Sequence, residues 1–166
     1  MPPPTGRSPP GSEMHRNAER VQEVLRAAGS DAAVVELPTS ARTSAEAAAA
    51  IGVEAGQIAK SLVFSVDGEP VVAVLSGTDR LDPEKLRLAL GGSRVERADA
   101  DAVRAATGFP IGGVSPLAHD ARVVVDHGLA AYDVVWAAAG TPHAVFPTTF
   151  AELVSVSGGT AADVRV

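Results

Sequence analysis

Apolar residues recur at helical spacing near the start of the chain. Val21, Val24, Leu25 and Ala28 share one stripe, Ser12 stands where a cap belongs, and Gly29 stands where the helix should stop. The spacing predicts a helix over 13–28. Residues 32–37 are an apolar run that ends at Pro38 and predict a strand. Thr43-Ser44-Ala45-Glu46 reads as a capping box opening a short alanine-rich helix that Gly52 closes. Two apolar runs, 58–66 and 70–75, flank Asp67-Gly68, a strong hairpin signal. Asp82 followed by Pro83 is an N-cap with proline at the first helical position, so Leu86 to Leu90 lie on a helix ending at Gly91-Gly92. A short strand follows around Val95. Asp99 caps a helix to about Thr107, with Gly108 as its stop. Residues 122–126 and 133–138 are strands parted by a turn at His127-Gly128. Residues 140–143 turn again into a short strand over 144–146. Thr149-Phe150-Ala151-Glu152 is a second capping box, and 162–166 predict a last edge strand.

Helices and strands mix here without strict βαβ alternation, and at least one hairpin is antiparallel. The expected fold is therefore mixed α/β: a mixed sheet or irregular barrel flanked by helices, in a single domain. Residues 1–12 hold five prolines and two glycines and almost nothing apolar. They read as a disordered tail, with the domain over 13–166.

Composition narrows the picture. Of 166 residues 46% are apolar but only 4% aromatic, so the core is expected to be small and aliphatic. No apolar run approaches the roughly 20 residues that span a bilayer, and no membrane partner is expected. The first residues lack the apolar core of a secretory signal. Cysteine is absent, which excludes a thiol nucleophile and disulfides and makes a reduced cytoplasm the default compartment. The net charge of −6 argues against broad non-specific binding to nucleic acid, and no DNA partner is expected. Any nucleic acid must be held by a few local contacts or by a partner protein.

Residues 107–119, TGFPIGGVSPLAH, carry the most chemistry. Gly112, Gly113 and Pro116 make a G-G-x-x-P loop between two apolar strands. A loop so poor in side chains offers backbone N–H groups to a carbonyl oxygen or an oxyanion. Lys60, one of only two lysines, heads an apolar strand rather than sitting in a charge run. A lysine there can equally be an edge-blunting residue. Ser115 lacks a nucleophile elbow and is read as a hydrogen-bonding residue at most. His143 follows a Gly-Thr-Pro turn, from which a side chain can project over a pocket, or simply be solvated. The four histidines have no metal-ligand spacing, so no zinc site is expected. Gly56-Gln57-Ile58-Ala59-Lys60-Ser61 lacks the glycine that must precede the lysine of a phosphate loop, which excludes a nucleoside triphosphatase.

Taken in order, the capped alanine-rich helix, Gly52-Val-Glu-Ala-Gly56-Gln-Ile-Ala-Lys60-Ser61-Leu-Val-Phe, the Asp67-Gly68 hairpin and Gly112-Gly-Val-Ser-Pro116 resemble the YbaK family. That family includes the editing insertion domain of bacterial prolyl-tRNA synthetase and free-standing aminoacyl-tRNA deacylases. The resemblance runs over roughly residues 18–164. It implies a mixed α/β, barrel-like fold with a pocket for an aminoacyl group on a tRNA 3′ end, and hydrolysis of mischarged tRNA without a cofactor. Lys60 matches the family's functional lysine. Gly112 and Gly113 open its G-x-x-x-P loop, and Val114, Ser115, Pro116 and His143 are the implied substrate contacts. An aminoacyl-tRNA synthetase is an implied partner. Ala139-Gly140-Thr141-Pro142-His143 departs from the arginine-containing turn of the members that deacylate Cys-tRNA. Ser115 and Ala118 stand where proline and glycine are expected. Two other classes fit the same residues: a non-catalytic module that binds the aminoacyl end, and a hydrolase of another small aminoacyl ester.

Overall fold

The computed structural model describes residues 13–166; the expectations for Ser12 and the 1–12 tail lie outside them. One eight-stranded mixed sheet forms the centre, in the order β1-β7-β6-β2-β3-β5-β8, with β4 also paired to β2. The strands are β1 (Val35–Glu36), β2 (Ile58–Val66), β3 (Glu69–Ser76), β4 (Val95–Arg97), β5 (Arg122–Asp126), β6 (Val135–Ala138), β7 (Ala144–Thr148) and β8 (Thr160–Ala162). The helices are α1 (Glu13–Ala27), α2 (Ser44–Ile51), α3 (Pro83–Leu90), α4 (Ala100–Thr107) and α5 (Phe150–Ser157). The mixed α/β architecture is the one the sequence predicts.

Local chemistry sets most boundaries. Thr43, Asp82, Asp99 and Thr149 each accept a backbone N–H of the first turn that follows, and Gly52, Gly91, Gly108 and Gly158 close the same four helices in the left-handed conformation. Asp67 and Gly68 both have positive φ, and Val66 pairs with Glu69 across them, as a two-residue hairpin turn requires. β3 is buried on both faces. Val72 and Val74 pack with α1, α4 and α5 residues, and Val71 packs with Leu86 of α3. That explains its unbroken apolar run.

Five expectations change, the first being the last edge strand, which lies at Thr160–Ala162 and not over 162–166 and pairs parallel with β5. The strand expected over 32–37 shrinks to Val35–Glu36, because the Gln22 side chain of α1 takes the Ala32 carbonyl and the Val34 N–H. Ala28 lies outside α1 and is exposed, whereas Val21 and Leu25 are fully buried. Between β5 and β6 the chain makes a 3-10 turn over His127–Ala131, started by the Asp126 carboxylate on the Gly128 N–H. The glycine-rich loop runs from α4 to β5, so a helix precedes it and not a strand.

β2 is the hinge of the sheet. It pairs with β3 along its length, with β6 only at Ile58 and Ala59, and with β4 only from Phe64 to Val66. Between those two partners one edge of β2 is open. A split in a sheet exposes backbone groups at a fixed place, and the cavity described next opens there.

Candidate active site

A cavity of about 260 Å³ lies at this split. β2 supplies Lys60 and Ser61, the glycine-rich loop supplies Gly112 and Val114, and the turn before β7 supplies Thr141 and Pro142. The segment leading into α2 supplies Arg42, Thr43 and Ser44. The rest of the wall is mostly small and apolar, with Ala41, Ala47, Ala59, Ala138 and Ala144 among its residues and the half-buried Trp136 at one side.

Lys60 is held by the loop after β3. Its Nζ donates to the Asp79 carbonyl and, at 3.5 Å, to the Gly77 carbonyl. An ammonium has three donors, so one remains for a ligand. Burial pushes the Lys60 pKa down, and the Asp79 carboxylate opposes that shift. The cradle itself is stiff. Gly77 is packed so tightly that a Cβ would stand 2.6 Å from Ser44 Cβ, and Ser76 Oγ donates to the Gly56 carbonyl at 2.7 Å. The sequence pointed to the lysine but not to these carbonyls, because main-chain acceptors leave no residue-type signal.

Ser61 was also missed. Its Oγ is buried without a hydrogen-bond partner among the described residues. The carbonyl of Val63 faces away from β3 and accepts the Ala98 N–H at 3.2 Å. Strand alternation turns the Ser61 N–H and carbonyl toward the same edge, where β2 has no ladder partner. The one sequence signal was a polar residue at the head of an apolar run.

The loop divides its work among neighbours. Gly112 has φ +86 and lies on the cavity wall. The Gly113 N–H donates to the Pro110 carbonyl at 3.0 Å, so it is not offered to the cavity. A Cβ at Gly113 would stand 2.6–2.8 Å from the backbone of Thr141, which makes this glycine the contact that joins the loop to the 140–143 turn. The N–H groups of Gly112 and Val114 have no acceptor among the described residues and belong to wall residues. Ser115 and Pro116 are buried behind the wall, and Ser115 Oγ accepts the Leu117 N–H at 3.1 Å. His143 is half-buried and does not line the cavity; its N–H donates to Thr141 Oγ1. Asn17 of α1 pins the turn by donating to the Gly140 carbonyl at 2.9 Å. The structure thus brings Lys60, Gly112 and Val114 to one cavity, and leaves Gly113, Ser115, Pro116 and His143 out of its lining. Among the described residues, no three His, Asp or Glu side chains gather as a metal-ligand set, and no helix is long and apolar enough to cross a membrane.

Comparison with known proteins places the chain in a family. Residues 38–156 match the model of the aminoacyl-tRNA editing domain, and the chain belongs to that family. It is 36% identical over 123 residues to the uncharacterized protein YwhH of Bacillus subtilis, covering 72% of this chain and 78% of that one. It is 37% identical over 99 residues, 58% of this chain, to the proline–tRNA ligase of Maridesulfovibrio salexigens. That match spans only 17% of the ligase. Among solved structures, a candidate trans-editing enzyme for prolyl-tRNA synthetase shares 43% identity at a TM-score of 0.83, over 90% of this chain and 97% of its own. The hypothetical protein APE2540 shares 32% identity at the same TM-score, over 89% and 99%. The resemblance read from the sequence and the fold it implies are both shown.

Proposed function

We propose that the protein is a free-acting deacylase that hydrolyses the ester of a small amino acid mischarged on tRNA. One observation carries the reading: a single small-walled cavity joins a half-buried ammonium, unpaired loop N–H groups and an open strand edge. An aminoacyl ester needs each of them. The N–H groups of Gly112 and Val114 suit the carbonyl oxygen, and strengthen as it becomes an oxyanion. The third donor of Lys60 suits the same oxygen or the ribose end of the ester. The Ser61 carbonyl on the open edge of β2 suits the α-ammonium. Water attacks the carbonyl carbon, the bond to the ribose oxygen breaks, and that oxygen leaves with a proton. The products are a free amino acid and an uncharged 3′ end. Ser115 is buried and does not line the cavity, the nucleophile in this reading is water, and holding water and ester together supplies most of the acceleration. The largely apolar wall favours a small, uncharged side chain over a charged one.

The test is a panel of tRNAs charged with amino acids of increasing size, incubated with the purified protein with and without a chelator. Release of small amino acids at equal rates in both arms is expected. No release from any member would leave a module that only binds the aminoacyl end. Loss of activity in chelator, restored by zinc, would overturn the metal-free reaction.

A further inference from the structure

Arg42 stands at the mouth of the cavity, one residue before the Thr43 cap of α2. It is exposed, and among the described residues its guanidinium has neither an ion pair nor a hydrogen bond. The cavity's other cation, Lys60, is already committed to two carbonyls. The stem of Arg42 is not loose. Its Cα, Cβ and Cγ lie 3.3–3.4 Å from where a Cβ on Gly112 would stand, so the glycine makes room for it and the loop fixes its base. Beside Gly112, Ile111 also lines the cavity and is 54% exposed. An isoleucine half in water on a cavity rim has apolar surface left for a ligand.

The ligand chemistry follows from charge. A chain of net charge −6 cannot hold RNA by its overall field, so a local cation must hold the phosphate nearest the ester. A guanidinium fork fits a phosphodiester in two parallel hydrogen bonds. Other arginines are spent elsewhere: Arg20 on the Ala118 carbonyl, Arg87 on Glu84, Arg165 on Asp126. From this the geometry points to a nucleotide seat on the rim, in which Arg42 takes the 5′-phosphate of the 3′-terminal nucleotide and Ile111 lies against its sugar and base. The assignment rests on the deacylase reading and adds the group that positions the substrate. Arg42 anchors the phosphate and takes no part in breaking the ester, since phosphate contacts position the nucleic acid.

The experiment compares two stable ligands by titration calorimetry: 3′-alanylamido-adenosine, and the same compound bearing a 5′-phosphate. The wild-type protein is expected to bind the phosphorylated ligand about tenfold more tightly in 0.1 M salt, a preference that shrinks as salt rises. Arg42→Gln keeps the stem against Gly112 and removes the charge; it should erase the preference, so that both ligands bind alike. Ile111→Ser should weaken both ligands by a similar factor, about threefold. A wild-type protein without the preference, an Arg42→Gln variant that keeps it, or no binding of either ligand would each overturn the seat. A phosphate preference that depends on Arg42, in a protein that deacylates no charged tRNA, would uphold the seat and refute the deacylase reading.

Discussion

Replacing Ser115 by alanine separates a covalent mechanism from the backbone one. The side chain is fully buried and its Oγ accepts the Leu117 N–H at 3.1 Å. Removing it leaves that N–H buried without an acceptor, a loss of about 2 kcal/mol. For a domain of this size the midpoint of thermal unfolding should fall by about 4–8 °C. Against a typical total stability of about 5–15 kcal/mol the variant stays folded at room temperature. Its single-turnover deacylation rate should remain within about twofold of wild type. Gly113→Ala is the contrasting change. Its Cβ would meet the N, Cα and C atoms of Thr141 at 2.6–2.8 Å, and backbone on both sides cannot swing aside. The loop must part from the 140–143 turn, carrying Gly112 and Val114 away from Thr141 and Pro142 on the same wall. A displacement of about 1 Å in such a site costs on the order of 100-fold in rate. Differential scanning calorimetry with rapid-quench deacylation measures both quantities. A folded Ser115→Ala that loses several orders of magnitude, beside an active Gly113→Ala, would refute the backbone reading and restore a serine nucleophile.

Two further predictions concern the loop's end. Burial pushes the His119 pKa below its ordinary value, with the Asp120 carboxylate opposing and Arg20 reinforcing the shift, and its Nε2 is buried without a hydrogen-bond partner among the described residues. Below a pH of about 6.5 the unfolded chain takes up a proton that the folded chain resists, so stability should fall with pH from there down to the lowered folded value. His119→Asn, which keeps an acceptor for the Ala121 N–H, should flatten that limb in urea titrations; an unchanged limb would place the titration elsewhere. Ala118 has φ +65, a left-handed conformation that costs a non-glycine residue about 1–2 kcal/mol. Ala118→Gly should therefore stabilise by about 0.5 kcal/mol once the looser unfolded chain is counted, and a lower unfolding midpoint would show that the methyl's packing outweighs the strain.

What the sequence disclosed was local. Thr43, Asp82, Asp99 and Thr149 announce helix starts by side-chain chemistry, and Asp67-Gly68 announces a turn by its tolerance of positive φ. Lys60 and Gly112 are visible for the same reason: their residue types are rare or permissive where they stand. What stayed hidden is non-local. Gln22 satisfies the backbone of residues 32–34 from another element. The split in the sheet at Ser61 depends on how far β6 and β4 reach along β2. The different duties of Gly112 and Gly113 appear only once Thr141 and Arg42 are packed against them. Fold class needs only the first kind of information, and a catalytic wall needs the second.

Lys60→Ala tests the central claim most directly. The substitution removes an ammonium from the cavity while the Gly77 and Asp79 carbonyls that held it lie near water, so the fold should persist, as judged by circular dichroism and thermal unfolding. Loss of one transition-state donor in a shielded site typically costs 10²- to 10³-fold. Single-turnover deacylation of a small-amino-acid mischarged tRNA by the folded variant should therefore slow by at least about 100-fold. Hydrolysis at the wild-type rate would contradict the account.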